Sequence, residues 1–230
     1  MPKLAVIGFK GYVGNAVYQA LLNSSKYTTA GVTRENYSAM KEESFDIIIN
    51  CAMPSGRFWA SNHPQEDFLE TVKKTADLIY GWKFKKFVQI SSVSARCQSD
   101  TVYGRHKAAA ERLCNFGDNL IVRLGALYSE NMNKGALADI IKGKKVFMDG
   151  KSRYSFISLS FCASWIASNL DRSGIVELGG KNAVTLEAVA KHLGADVEFE
   201  GAVSHFDVES AEGNLPEAMQ VLDFLDNLKK

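Results

Sequence analysis

The chain lacks a charge of one dominant sign. Its 27 lysines and arginines nearly balance 26 aspartates and glutamates, leaving a net charge of +1. A general nucleic-acid binder carries a basic footprint, so the balance argues against that class. A single anionic ligand needs only a local site and stays open. Long apolar runs are missing too: nothing approaches the roughly 18–20 residues of a membrane span. The start, Met1-Pro2-Lys3, leads into the apolar stretch Leu4–Gly8. That stretch is too short for a signal peptide and no small-residue cleavage site follows, so a cytoplasmic protein is expected. Cys51, Cys97, Cys114 and Cys162 are scattered, with neither metal spacing nor a disulfide framework, as in a chain whose thiols stay reduced. No metal site is expected. Internal repeats, low-complexity tracts and flexible linkers are absent from the sequence. With 46% hydrophobic and 23% charged residues among 230, the composition excludes disorder and collagen, and the length allows a sizeable core.

Strand and helix signals alternate through the first 130 residues. Lys3–Ile7 reads as a strand, and Asn15–Leu22 as a helix through the spacing of Ala16, Val17, Ala20 and Leu21. Tyr27–Thr33 and Asp46–Cys51 read as further strands. The second of these is apolar on both faces, which belongs to a parallel sheet covered by helices. Gln65–Gly81 reads as one long helix, Lys86–Ile90 as a strand ending at Ser91-Ser92, Tyr103–Phe116 as a helix and Asn119–Leu124 as a fifth strand. This order predicts a Rossmann-type α/β fold, a doubly wound parallel sheet with ligands at the carboxyl ends of its strands. Beyond residue 130 the pattern changes. Short strand-like pieces, Val146–Met148 and Tyr154–Ile157, flank the turn Asp149-Gly150. Ser160–Leu170, Thr185–Leu193 (capped by Thr185) and Pro216–Leu228 read as helices, and Gly174–Leu178 as a strand. The expected organisation is a nucleotide-binding domain over 1–130 and a small substrate-binding part over 131–230 packed on it.

Three glycines, Gly8, Gly11 and Gly14, follow the first strand and open the first helix. Glycines let the backbone approach a pyrophosphate, and the helix N-terminus offers N–H groups and a positive dipole end. The loop, with Lys10, Tyr12 and Val13, is therefore expected to bind a dinucleotide. The second strand ends in Thr33-Arg34, where an acidic residue would read an adenosine ribose and a basic one suits a 2′-phosphate. Arg34 and Lys10 favour NADP over NAD. Cys51 and Ala52, at the end of the third strand, are further expected cofactor contacts, as are Tyr103 and Lys107 later in the chain.

Tyr103-Gly104-Arg105-His106-Lys107 is Tyr-x-x-x-Lys, which on a helix puts tyrosine and lysine on one face. The lysine is expected to depress the phenol pKa and to hydrogen-bond the nicotinamide ribose, while Ser92 hydrogen-bonds the substrate oxygen. Together with the glycine loop, these segments resemble the extended branch of the short-chain dehydrogenase/reductase superfamily, the NAD(P)-dependent epimerase/dehydratase family. The matching stretches are Val6–Gly14, Asp46–Ala52, Phe87–Ser92, Tyr103–Glu111, Ile121–Leu124, Asp149-Gly150 with Phe156-Ile157, and Gly174–Gly180. The resemblance implies Tyr103 as acid/base, Lys107 as its partner and Ser92 as helper hydroxyl. It also implies a nucleotide-diphosphate sugar as substrate, and a homodimer formed through the Gln65–Gly81 and Tyr103–Phe116 helices.

The departures from the family pattern are specific. Ile7 stands where relatives often carry threonine. Val93 and Ser94 replace the Asp-Glu pair of the dehydratases, which argues against 4,6-dehydration. Ala95-Arg96-Cys97 replaces a Val-Tyr-Gly, and the interval from Ser92 to Tyr103 is short. Tyr154 takes the place of an arginine that contacts substrate phosphate, with Arg153 beside it; both are candidate substrate contacts. His106 reads as a surface histidine and His63 as a loop cap. Arg57, Phe58 and Trp59 are possible pocket residues, and Arg123 reads as a salt-bridge partner or ligand contact. No cysteine is assigned a nucleophilic role. The expected function is hydride transfer at a carbonyl or alcohol carbon, with a 4-keto-sugar reductase ahead of a 4-epimerase. The alternative is a non-catalytic NAD(P) sensor on the same fold.

Overall fold

The computed structural model describes residues 1–228. Its first half alternates strand and helix. β1 (Lys3–Ile7) leads to α1 (Tyr12–Ser24), β2 (Thr28–Val32), α2 (Tyr37–Lys41) and β3 (Ser44–Asn50). Then come α3 (Arg57–Asn62), α4 (Pro64–Phe68), a π-helical turn (Leu69–Lys73), α5 (Lys74–Gly81) and β4 (Lys83–Ser92). After α6 (Ser94–Cys97), α7 (Val102–Cys114) and β5 (Leu120–Leu124), the elements shorten: β6 (Ala126–Tyr128), α8 (Ala136–Ile141), β7 (Arg153–Tyr154) and β8 (Phe156–Ser158). α9 (Leu159–Ser168), β9 (Gly174–Leu178), β10 (Val184–Thr185), α10 (Leu186–Leu193), β11 (His205–Phe206) and α11 (Gln220–Leu228) follow.

Six strands form one sheet in the order β2-β1-β3-β4-β5-β9. β1 pairs parallel with both β2 and β3, and β3 parallel with β4. The fold is the expected Rossmann type. Adjacent residues of a strand face opposite sides of the sheet, and Ile48 and Ile49 are both fully buried, so helices cover both faces. Beneath the sheet, Ala5, Ile7, Val32, Ile48 and Phe87 pack with Leu78, Trp82 and Cys114. The register decides where the loops emerge. Ile7 lies beside Val32 on one side and Asn50 on the other, and Asn50 lies beside Gln89. Gly8, Thr33 and Cys51 therefore leave the same edge of the sheet. The chain reverses its winding direction between β1 and β3, the switch point where such sheets open a crevice.

The chain forms two compact units. The first is Met1–Arg123 with Ser160–Val176; the second is Leu124–Leu159 with Glu177–Lys230. The division is not the contiguous one expected near residue 130. Ser160–Val176 belongs to the first unit because β9 extends the sheet beside β5, where Gly174 N–H bonds the Asn119 carbonyl at 2.9 Å. In the second unit β7 lies between β10 and β11, and β6 pairs parallel with β8.

Several expected elements change shape. The helix over 65–81 is interrupted by the π turn. Val146 makes only an isolated bridge to Phe199, so no strand forms over 146–148. Tyr154 and Phe156 fall in different strands, because Ser155 between them turns inward and its hydroxyl accepts from Val208 N–H at 3.2 Å. Thr185 caps α10 as expected, accepting from Ala188 N–H at 3.3 Å. Among the described residues no helix is long and apolar enough to cross a membrane.

Candidate active site

The glycine loop leaves β1 and turns through Gly8, whose φ of +77° is costly for any other residue. A Cβ at Gly8 would also sit 2.9 Å from the Ala52 backbone. One at Gly14, on the first turn of α1, would sit 2.2 Å from the Gly8 carbonyl oxygen. The helix thus starts against the loop, with Gly11 as an N-cap that contributes no side-chain bond. The first turn of α1 contains no acidic residue. A tight glycine bend, a close helix N-terminus and no opposing carboxylate there make a cradle for an anionic diphosphate, so these residues fit a dinucleotide.

Behind the cradle, the end of β3 is held by a buried amide pair. Asn50 Nδ2 donates to Gln89 Oε1 at 3.1 Å, and Asn50 Oδ1 accepts from Ala52 N–H at 3.1 Å. Cys51 N–H bonds the Ile7 carbonyl at 3.0 Å. Burial pushes the Cys51 thiol up to about 12, which leaves it a neutral packing group. At the end of β2, Asn36 accepts from Thr33 N–H at 2.7 Å and donates to the Gly31 carbonyl at 3.0 Å. Arg34 projects from this turn with its side chain 90% exposed and only a 3.8 Å approach to Glu70. Glu35, unremarked in the sequence, lies nearby. Its carboxyl is held below the usual range by a hydrogen bond from Thr33, with a smaller contribution from the Lys10 charge.

β4 carries Ser92 at its end, and α7 carries Tyr103 and Lys107 on one buried face. α7 starts where it does because Thr101 caps it, accepting from Gly104 N–H at 3.0 Å. Ser92 hydrogen-bonds the Tyr103 phenol, and Lys107 Nζ lies 5.1 Å from the centre of the Tyr103 ring. The structure therefore brings all three predicted catalytic residues together.

Their electrostatics differ from the sequence expectation. Burial pushes the Tyr103 phenol up to about 12, against a hydrogen bond from Ser92 and the Arg57 charge, with Asp67 adding to the rise. Burial pulls Lys107 down to about 7, opposed by Asp67 and then Glu111. The expected depression of the phenol by Lys107 is absent. The lysine lies over the ring face and donates to the Pro54 carbonyl at 2.8 Å, and loss of water dominates for both groups.

Two buried carboxylates flank this pair, neither singled out in the sequence. Glu111 takes a two-pronged contact from Arg123, Nη2 at 2.7 Å and Nε at 3.0 Å, and a 2.6 Å bond from Ser91. Arg123 is thus a salt-bridge partner. Asp67 pairs with His106 Nδ1 at 2.7 Å, with the histidine side chain only 19% exposed. The expectation of a surface histidine is corrected: the ring turns from α7 toward α4 and meets a carboxylate there. His63 behaves as a cap, with its ring nitrogen 3.2 Å from the Trp59 carbonyl and its ring stacked on Trp59. Phe58 on α3 is 85% exposed.

In the second unit, Arg153 pairs with Asp207 at 3.1 Å and is half exposed. Tyr154 is buried, with its ring stacked against Phe156 and packed on Phe206, so its neighbours are those of a core residue. Among the described residues no group of histidine, cysteine and carboxylate side chains has metal-site geometry.

The chain matches the family model of the NAD dependent epimerase/dehydratase family over residues 4–160. No curated protein matches it in sequence. Among solved structures it is similar to the dTDP-4-dehydrorhamnose reductase of Bacillus anthracis strain Ames, solved in complex with NADP. The identity is 15%, all of both chains is covered and the TM-score is 0.76. The corresponding reductase of Yersinia enterocolitica gives 15% identity over 98% of this chain and 99% of that one, with a TM-score of 0.79. The UDP-glucose 4-epimerase of Thermotoga maritima, solved with UDP-glucose, gives 12% identity over 99% of this chain and 100% of that one, with a TM-score of 0.76. Identities this low show a shared fold, and the family match shows membership. The chain belongs to the NAD(P)-dependent epimerase/dehydratase family of enzymes, within the extended short-chain dehydrogenases/reductases.

Proposed function

We propose that this protein reduces a keto group on a nucleotide-linked sugar, using NADPH as hydride source and Tyr103 as proton donor. The observation that carries the reading is the cluster of Ser92, Tyr103 and Lys107, with the phenol hydrogen-bonded by the serine and faced by the lysine. The nicotinamide, when bound, supplies hydride to the carbonyl carbon. Tyr103 Oη gives its proton to the carbonyl oxygen, and Ser92 holds that oxygen in place. Lys107, as an ammonium ion, stabilises the phenolate left behind.

A phenol pushed up to about 12 keeps its proton at neutral pH and is set to donate it. Val93 and Ser94, in place of two carboxylates, argue against dehydration. Lys10 and the exposed Arg34 at the β2 end support NADP over NAD, and Arg153 is the proposed substrate-phosphate contact.

The test is NADPH consumption with a panel of 4-keto nucleotide sugars, with the sugar product identified. Stoichiometric consumption with formation of the alcohol supports the reading. Interconversion of UDP-sugars with retained cofactor would replace it with an epimerase. Tight cofactor binding without turnover on any substrate would replace it with a sensor.

A further inference from the structure

Lys107 is buried on α7, and its Nζ donates to the Pro54 carbonyl at 2.8 Å. That carbonyl belongs to residues 51–56, a stretch between β3 and α3 with no helix or strand of its own to hold it. Pro54 has no N–H with which to tie itself down. The hold comes from two amide side chains inside the sheet, Asn50 and Gln89, both fully buried and beside each other on β3 and β4. Asn50 Oδ1 accepts from Ala52 N–H at 3.1 Å, and Gln89 Nε2 donates to Met53 Sδ at 2.9 Å. Between them, Asn50 Nδ2 donates to Gln89 Oε1 at 3.1 Å and to Thr75 Oγ1 of α5 at 3.4 Å. The direction of these bonds is forced. A backbone N–H only donates, so Ala52 requires the oxygen of Asn50. The Asn50 amine then faces Gln89, which must present its oxygen there and keep its amine for the sulfur, an acceptor only. Both ends of the network therefore grip the residues that lead into Pro54. Apolar side chains would fill the same two sheet positions without the cost of burying two amides, but would leave this segment unheld.

We propose that Asn50 and Gln89 are positioning residues for the active site: their amide pair fixes residues 51–54 and thereby sets the Pro54 carbonyl against the Lys107 amine. The catalytic task of Lys107 rests on the reductase reading; the placement of its side chain does not. One bond to a fixed carbonyl selects a single arrangement of a long, rotamer-rich side chain. With that carbonyl displaced, the amine is free to leave its place 5.1 Å from the centre of the Tyr103 ring. β4 runs on from Gln89 to end in Ser92, so one strand carries both the helper hydroxyl and the hold on the lysine. All of these residues lie in the first unit.

The test is NMR of the protein labelled with carbon-13 at the lysine Cε, with the Lys107 signal assigned by its loss in Lys107→Met. In the wild type the two Hε protons of a fixed Lys107 are expected at separate shifts. In Gln89→Leu, close in size but without the amide, they are expected to merge as the side chain becomes mobile. Met53→Leu removes the sulfur acceptor and leaves the amide pair in place. It is expected to merge the shifts too, and serves alone if Gln89→Leu does not fold. Ile166→Val, a change at a fully buried position of α9, is expected to lower the melting temperature while keeping the shifts separate. Merged shifts in the wild type or in Ile166→Val, or separate ones in folded Gln89→Leu or Met53→Leu, would overturn the proposal. On a keto sugar that the wild type reduces, Gln89→Leu is expected to lower kcat roughly 10- to 100-fold with KM little changed. A wild-type kcat beside merged shifts would overturn the catalytic consequence. The NMR needs neither cofactor nor substrate, so a protein that reduces no keto sugar would end the reductase reading and leave the placement of Lys107 standing.

Discussion

Tyr103 and Lys107 are one turn apart on α7 and are displaced in opposite directions by one cause, loss of water. Each displacement has a consequence for stability. Lys107 keeps its proton up to about 10.5 in the unfolded chain but only to about 7 in the folded one. Between those values the unfolded chain binds more protons, so stability rises with pH across that window. For Tyr103 the folded form holds the proton to about 12 and the unfolded form to about 10, so stability falls with pH above about 10. The melting temperature of the wild type is therefore expected to climb, relative to Lys107→Met, as pH is raised from about 7 to about 9. Parallel curves for the two proteins would contradict the burial of an ionisable amine. Arg34 belongs to the same scale. Arg34→Ala is expected to weaken NADPH binding roughly 5- to 10-fold and to leave NADH nearly unchanged, measured by calorimetric titration. An equal loss for both cofactors would remove the residue from 2′-phosphate recognition.

At the scale of elements, the cradle depends on how closely α1 starts against the loop behind β1. Gly14→Ala would bring a methyl group within 2.2 Å of the Gly8 carbonyl oxygen, a backbone atom that cannot swing aside. The expected outcome is a lower melting temperature together with loss of dinucleotide binding; unaltered binding would mean that the loop tolerates a wider cradle. Much of this level was legible in the sequence. The spacing of Val17 and Leu21, the doubly apolar run of β3 and the Thr185 cap each report a local rule, periodicity or hydrogen-bond valence, and each appears in the structure. What was not legible depends on partners far apart in sequence. Asp67 and His106 are 39 residues apart and so are Asn50 and Gln89, and neither pairing leaves a trace in local pattern. The sign of the phenol shift was hidden for the same reason. Spacing showed that a lysine shares a face with the tyrosine, but not that both would be buried and the lysine directed to the Pro54 carbonyl.

At the scale of the whole molecule, the chain crosses between its two units more than once, because Ser160–Val176 returns to complete the first. That return was not signalled by composition, since the segment reads as an ordinary helix and strand. The surface of the first unit bears a second expectation. Phe68 and Leu69 are half exposed and, with Pro64, Gln65 and His106, line a shallow groove of about 440 Å³ on the helices where the family resemblance puts a homodimer. Light scattering is expected to give twice the 25.3 kDa chain mass, and Leu69→Glu to give the monomer; a monomeric wild type would contradict the dimer. The central claim, however, is that the Tyr103 hydroxyl supplies the proton for NADPH-dependent reduction, and Tyr103→Phe tests it most directly. Measured side by side with the wild type on the same keto sugar, the variant is expected to bind NADPH with unchanged affinity and to turn over roughly 100- to 10,000-fold more slowly. A variant that reduces the substrate at the wild-type rate would contradict the account.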